Sequence, residues 1–237
     1  MYNAVCLGVQ SDMLARFSGR LAKPAHLRTR LRKIAPLLVL CGAAATLAAQ
    51  VQPRRAGSIT ALRPSTVVNH KNIPSLQGKP VNQGDEVFWE DRLRTDKKGR
   101  ARITLDDHSM LSLGSDSELI IEQHDAQSQR TFLELLYGKI RCRVTQLTGG
   151  GKFQLQTPAA VAGVQGTDFG ADSSVPGVTK FICLSGTVLI TPNDPTLSPV
   201  TCEAGSTVTV KSGAPPATQP ATPEQLEKWK HIAEPEQ

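Results

Sequence analysis

The chain has 237 residues, with 27 Lys and Arg against 21 Asp and Glu and a formal net charge of +6. The excess is local: residues 1–33 hold seven of the basic residues and one acid, which leaves 20 of each sign in the remainder. A balanced body lacks the basic surface that nucleic-acid binding requires, and this length fits one domain with flanking segments.

The basic stretch ends at Arg32-Lys33. An apolar run from Ile34 to Gly42 follows and passes into the small-residue string Ala43 to Ala49. Positive, apolar, then small is the order of a secretory signal peptide, so residues 1–49 read as one, with cleavage between Ala45 and Gln50 and Met13 as an alternative start. Export would place the mature chain in the periplasm or outside the cell. Two rival readings stand beside it. In one the leader is an uncleaved inner-membrane anchor, although its apolar part is about 16 residues and a span takes about 20. In the other the chain is a lipoprotein acylated at Cys41, with Leu40 where a small residue is preferred.

Gln50 to Arg55 is a short linker. From Gly57 to Val210 the pattern alternates with period two, with turn signals every 8–12 residues or so. Expected strands are Ile59–Leu62, Glu86–Trp89, Ala101–Leu105, Ser109–Leu113, Glu118–Ile121, Thr131–Leu136, Lys139–Val144, Phe153–Gln156, Asp168–Ala171, Val178–Leu184, Thr187–Thr191, Pro199–Glu203 and Thr207–Val210. No stretch there sustains a helical stripe. Short strands, Gly-rich turns, few aromatics and an interior of Leu, Val and Ile predict an all-β domain over residues 57–210. It reads as a β-solenoid or β-roll, with a β-sandwich as the alternative.

Residues 211–223, rich in Pro, Ala and Thr, read as an extended linker. Residues 224–233 then predict a short amphipathic C-terminal helix, with Thr222 as N-cap, Pro223 at its first position, and Leu226, Trp229 and Ile232 on one face. It either rests on the domain or serves as a docking peptide.

Cleavage leaves three cysteines at spacings that match no zinc or redox motif. Cys142 alternates with basic residues in Lys139–Val144 and is expected to point inward as a small hydrophobe. Cys183 and Cys202 are the pair that could form a disulfide, against the alternative of three buried thiols.

No nucleophile elbow, phosphate loop, dinucleotide fingerprint, zincin motif or CxxC occurs, so neither an enzyme activity nor a cofactor is expected. Asp106-Asp107-His108 reads as a hairpin turn, because adjacent residues on a strand point apart and cannot share one ion. His70, His124 and His231 have no companion at ligand spacing. Gly149 to Gly151 reads as a flexible turn. Arg92, Arg94, Lys97, Lys98, Arg100 and Arg102 form a basic cluster, joined in one reading by Lys139, Arg141 and Arg143. It either protects an edge strand or receives an anionic partner such as a lipid headgroup or acidic polysaccharide.

Between the later strands lies a compact corner. Thr157-Pro158 ends a strand. Ala159 to Ala162 are small enough to pass beneath neighbours, and Gly163 and Gly166 are expected to supply positive φ or close backbone approach. Asp168 accepts turn N–H bonds or caps Thr167, and Phe169 anchors the next strand. Asp168 has no paired acid nearby in sequence, so a structural role is expected.

The stretch from Gly57 to Val210 resembles the FecR domain, the periplasmic module of iron-transport sigma regulators. Five segments carry the likeness in order: LRTD (93–96) with GRARITLDDHSMLSL (99–113), LELLYGKI (133–140), FQLQTPAAVAGVQGTDF (153–169), LSGTV (184–188) and EAGS (203–206). His108 stands where that family usually has Gly, in a turn that demands a left-handed backbone. The sigma regulators carry a cytoplasmic anti-sigma domain before their membrane helix and a secretin-like region at the C-terminus. Only about 33 residues precede the apolar run here, so sigma control in cis is not expected. The resemblance implies an exported, non-enzymatic β module that binds another envelope protein or an anionic envelope polymer. A membrane-anchored periplasmic sensor is the alternative, and an envelope hydrolase with a site assembled across strands is the remaining one.

Overall fold

Alternation of buried and exposed positions is the rule along the strands; β6, for instance, runs half-buried, buried, half-buried without a break. The computed structural model describes residues 52–63, 66–71 and 78–231. The expected signal peptide, Cys41, and Ile232 and Ala233 of the expected helix lie outside those residues.

Eighteen strands and one helix follow one another among the described residues. The first five are β1 (Arg55–Arg63), β2 (Thr66–Asn69), β3 (Lys79–Pro80), β4 (Glu86–Phe88) and β5 (Asp91–Thr95). Next come β6 (Arg100–Leu105), β7 (Met110–Leu113), β8 (Ser117–Asp125), β9 (Arg130–Tyr137), β10 (Lys139–Arg143), β11 (Lys152–Gln156) and β12 (Ala160–Val164). The chain continues through β13 (Asp168–Val175), β14 (Val178–Ser185), β15 (Thr187–Pro192), β16 (Val200–Glu203), β17 (Ser206–Lys211), β18 (Ala214–Pro220) and α1 (Pro223–His231).

They build two open sheets of nine strands. Sheet A has the order β18-β17-β14-β13-β10-β7-β6-β1-β4, and sheet B the order β16-β15-β12-β11-β9-β8-β5-β2-β3. From β6 onward the chain mostly lays a hairpin in one sheet and the next in the other, with β10 crossing alone. The protein is therefore all-β, as expected, with the one short helix at its end. Most neighbours are antiparallel; β9 and β11 run parallel.

One apolar cluster joins the sheets, built from the inward residues of both. Phe153 of sheet B and Phe169 of sheet A meet edge to face, with ring centroids 6.5 Å apart. Beside them, Thr179 Oγ1 donates across the interior to Thr157 Oγ1 at 3.1 Å, and Thr157 Oγ1 donates to Ala160 O at 2.7 Å. The corner at Thr157-Pro158 thus has its polar groups satisfied inside the core, as burial requires.

Two expectations change. Ala160–Val164 does not pass beneath other strands: it is β12, paired with β11 and β15 inside sheet B. Most of the expected linker is β18, an edge strand of sheet A paired with β17. Prolines lack the N–H that a central strand must donate, so Pro215, Pro216 and Pro220 suit an outermost position. The helix begins as expected. Gln225 N donates to Thr222 Oγ1 at 3.2 Å and Thr222 N to Gln225 Oε1 at 3.1 Å, a reciprocal capping box.

Candidate functional site

A groove of about 470 Å³ opens on the outer face of sheet B. Register builds it: Gln154, Gly163 and Leu189 stand side by side on β11, β12 and β15. Gly163 has no side chain, and this opens the floor between its neighbours. Its backbone is not left-handed, and a Cβ there would have only Leu189 O within 4 Å, at 3.9 Å. The expected need for positive φ or close approach at Gly163 is therefore corrected. Gly166 does meet it, with φ +150° and Gln146 packed where a Cβ would stand.

The groove's polar lining is Gln146, Gln154, Gln165, Lys152, Thr167 and Thr187. Thr167 Oγ1 donates to Thr187 O at 3.0 Å. Leu189, 51% exposed, supplies an apolar platform. Amides, one cation and an apolar side chain can hold a ligand by hydrogen bonds and contact. The described lining holds no Ser, Cys, His, Asp or Glu. Gly163, Gly166 and Thr167 of the corner segment fall here, while Thr157, Pro158 and Phe169 serve the fold.

Asp168 has the expected structural role, but by pairing with arginines rather than by accepting turn N–H bonds or capping Thr167. It faces outward on sheet A, where Arg141 Nε donates to Oδ1 at 2.9 Å and Nη2 to Oδ2 at 2.8 Å, with Arg143 Nε 3.3 Å from Oδ2. Arg141 sits directly across from Gly170 on the neighbouring strand. Gly170 lies under the Trp229 ring, so its missing side chain makes the seat for α1. Arg141 Nη1 donates to Lys230 O at 2.6 Å and satisfies a carbonyl of the helix's last turn. The helix therefore rests on the domain, with Trp229 buried and Leu226 half-buried.

The basic cluster is divided. Arg92 and Arg94 lie on β5 in sheet B, Arg100 and Arg102 on β6 in sheet A, and Lys97 and Lys98 in the exposed turn between them. Arg92 Nη1 is 2.9 Å from Glu118 Oε1, and Lys139 Nζ is 3.5 Å from Asp172 Oδ2.

A pair the sequence did not suggest is His70 and Asp91. Pairing of β2 with β5 brings them together, with His70 Nδ1 2.7 Å from Asp91 Oδ2. Burial pushes the Asp91 carboxyl above the usual range, against the pull of the Phe88 N–H and of His70. His70 borders a cavity of about 360 Å³ with Lys79, Asn82, Asp85, Glu86 and Phe88. The described lining holds no Ser or Cys that such a pair could activate.

His124 is buried, with Nδ1 2.9 Å from Thr131 Oγ1. Its Nε2, Trp89 Nε1 and Asp107 Oδ2 are buried without a partner among the described residues. His124 and Trp89 border a cavity of about 270 Å³, and Arg54 lies 4.7 Å over the Trp89 ring. Asp106 to His108 form the expected turn, and His108 takes φ 66°. Among the described residues no group of three His, Cys, Asp or Glu is placed to hold a metal ion, and no helix is long and apolar enough to cross a membrane. Cys142, Cys183 and Cys202 are buried free thiols.

Two crystal structures of a "putative anti-sigma factor" from Parabacteroides distasonis, at 2.50 and 1.65 Å resolution, share this fold. Each superposes with a TM-score of 0.51 at 14% identity, over 59% of this chain and 64% of the other. This chain thus spans less than two thirds of that protein. No curated protein matches the chain. The family model described as FecR protein matches residues 91–189, from the start of β5 into β15. Residues 91–189 of this chain are thus similar to the FecR family.

Proposed function

We propose that this chain is an exported, non-enzymatic module of the cell envelope that works in FecR-type regulation by binding another envelope protein on the outer face of sheet B. The observation that carries the reading is the groove over Gly163: the FecR-like stretch presents Gly163, Gly166 and Thr167 there, with amides and an apolar platform in place of reactive groups. A regulatory role is supported by the FecR match and by the description of the structural neighbours as anti-sigma factors. An anionic envelope polymer is the other partner chemistry, and it suits the divided basic cluster less, because one polymer face cannot meet both sheets. The second reading keeps the leader, and the chain then acts as an anchored periplasmic sensor, although its apolar run of about 16 residues is short for a span.

The test is a photo-crosslinking residue placed at Gln154 or Leu189 of the full chain in cells, with Lys180 on sheet A as the control. Adducts with one envelope protein from the sheet B positions, lost in Gly163→Arg, support the proposal. Equal labelling from both faces, or residence of the chain in the cytosol, overturns it. The intact mass of the recovered chain separates the cleaved module from the anchored sensor.

A further inference from the structure

We propose that Cys183 and Cys202 form a disulfide that ties the terminal strand of sheet B to the interior of sheet A. The two come from different sheets: Cys183 from β14, Cys202 from β16. Both are wholly buried in the shared core.

A chain of contacts through the β16–β17 turn brings them together. The β14–β17 ladder runs to Ile182 opposite Thr207, and its next bond is from Gly205 N to Cys183 O at 2.9 Å. Cys183 therefore lies beside Ser206. From the other side, the Cys202 thiol donates to Ser206 O at 3.4 Å. The two sites are close enough that the Cys183 backbone pulls the Cys202 thiol down and Cys202 pushes the Cys183 thiol up.

The third cysteine is out of reach of Cys183. Cys142 is opposite Phe169, and Phe169 is opposite Cys183. Cys142 and Cys183 are thus two strand spacings apart, about 9–10 Å between Cα atoms, beyond the roughly 7 Å that a disulfide tolerates. The large Phe169 ring stands between them.

Burial raises both thiols, Cys183 to about 12 and Cys202 to about 11, so little thiolate exists in the closed fold. The oxidant is a disulfide, either of a protein thiol oxidase or of oxidised glutathione. One cysteine thiolate attacks it and releases one thiol. The second thiolate attacks the mixed disulfide and releases the other. Two protons and two electrons pass from the cysteines to the oxidant, which ends as two thiols. The bond closes the loop that holds β15 and pins β16, the outermost strand of sheet B.

This inference does not depend on the proposed partner, and its test requires none. The full chain is denatured, refolded in mixed reduced and oxidised glutathione, alkylated and digested with trypsin plus a protease that cuts before Asp194, which separates the two cysteines. Fragments holding Cys183 and Cys202 should stay joined until reduced, with Cys142 alkylated. Alkylation of both, or a link from either to another cysteine or another chain, overturns the proposal. The linked protein should melt roughly 6–12 °C above its reduced form. A linked pair with no rise in Tm overturns its role as a tie between the sheets.

Discussion

Arg141 grips Asp168 with two parallel hydrogen bonds and, with its remaining nitrogen, holds the carbonyl of Lys230 at the end of α1. Both side chains of the pair are largely buried, at 9% and 15% exposure. One guanidinium thus joins two neighbouring strands of sheet A to a helix 89 positions further along. A lysine there has a single charged nitrogen and cannot make the same fork. Removing one partner leaves the other charged group buried. Arg141→Ala and Asp168→Asn should each destabilise the protein by about 3–5 kcal/mol in urea titrations. Limited trypsin digestion should also cut Arg141→Ala first at Lys228 or Lys230, because the helix loses its anchor. An uncut tail in Arg141→Ala would show that Trp229 alone holds the helix.

Trp229 and Gly170 form the other half of the seat. The ring lies where any side chain at position 170 would have to stand. Gly170→Val should lift the helix while leaving sheet A paired, and Trp229→Ala should uncover the same surface at a cost of about 3 kcal/mol. Each change removes the contact that the other needs. The double variant should therefore cost clearly less than the sum of the singles. In Gly170→Val the Trp229 fluorescence should shift to the red.

These contacts show where sequence reading succeeds. Alternation located the strands that carry strong apolar residues, such as Ala101 to Leu105, and the Thr222-Pro223 signal located the helix start. Ala160–Val164 gave no such signal, because Ala and Gly are poor strand formers and tertiary pairing decides their state. The same holds for Ala214–Pro220, whose prolines suggest a linker until an edge position is known. Site residues were less legible. Asp168 meets Arg141 only through the register of β10 with β13, and His70 meets Asp91 only through β2 with β5. Both pairings span more than 20 residues, and no local spacing encodes them.

Gly163 and Gly166 look alike in sequence and should behave oppositely. A methyl at position 163 meets open space on an ordinary strand backbone. Gly163→Ala should therefore raise stability by about 0.4–1 kcal/mol, through the lower entropy of the unfolded chain. At position 166 the backbone is left-handed and Gln146 occupies the space. Gly166→Ala should cost about 1–3 kcal/mol. Paired urea midpoints with unchanged slopes would establish the contrast, and equal costs would refute it.

His124 should give the protein a pH-dependent stability with a definite sign. Burial holds its pKa below the usual histidine value, against the attraction of Asp107, Asp106 and Asp125. The folded state thus keeps the ring neutral where the unfolded chain, with a pKa of about 6.5, takes up a proton. Below that value the unfolded state binds more protons, so stability falls as pH falls, until the folded pKa is passed. Above about 6.5 the contribution is complete and flat. Asp91 slopes the other way: its raised pKa means that the folded state holds the extra proton above the ordinary carboxylate range, so stability falls there as pH rises. The two are separated by difference. His124→Gln keeps an amide to face Thr131 and cannot titrate. Its Tm between pH 7.5 and 5 should fall less than that of the parent chain. Identical slopes in the two proteins would place the titrating group elsewhere.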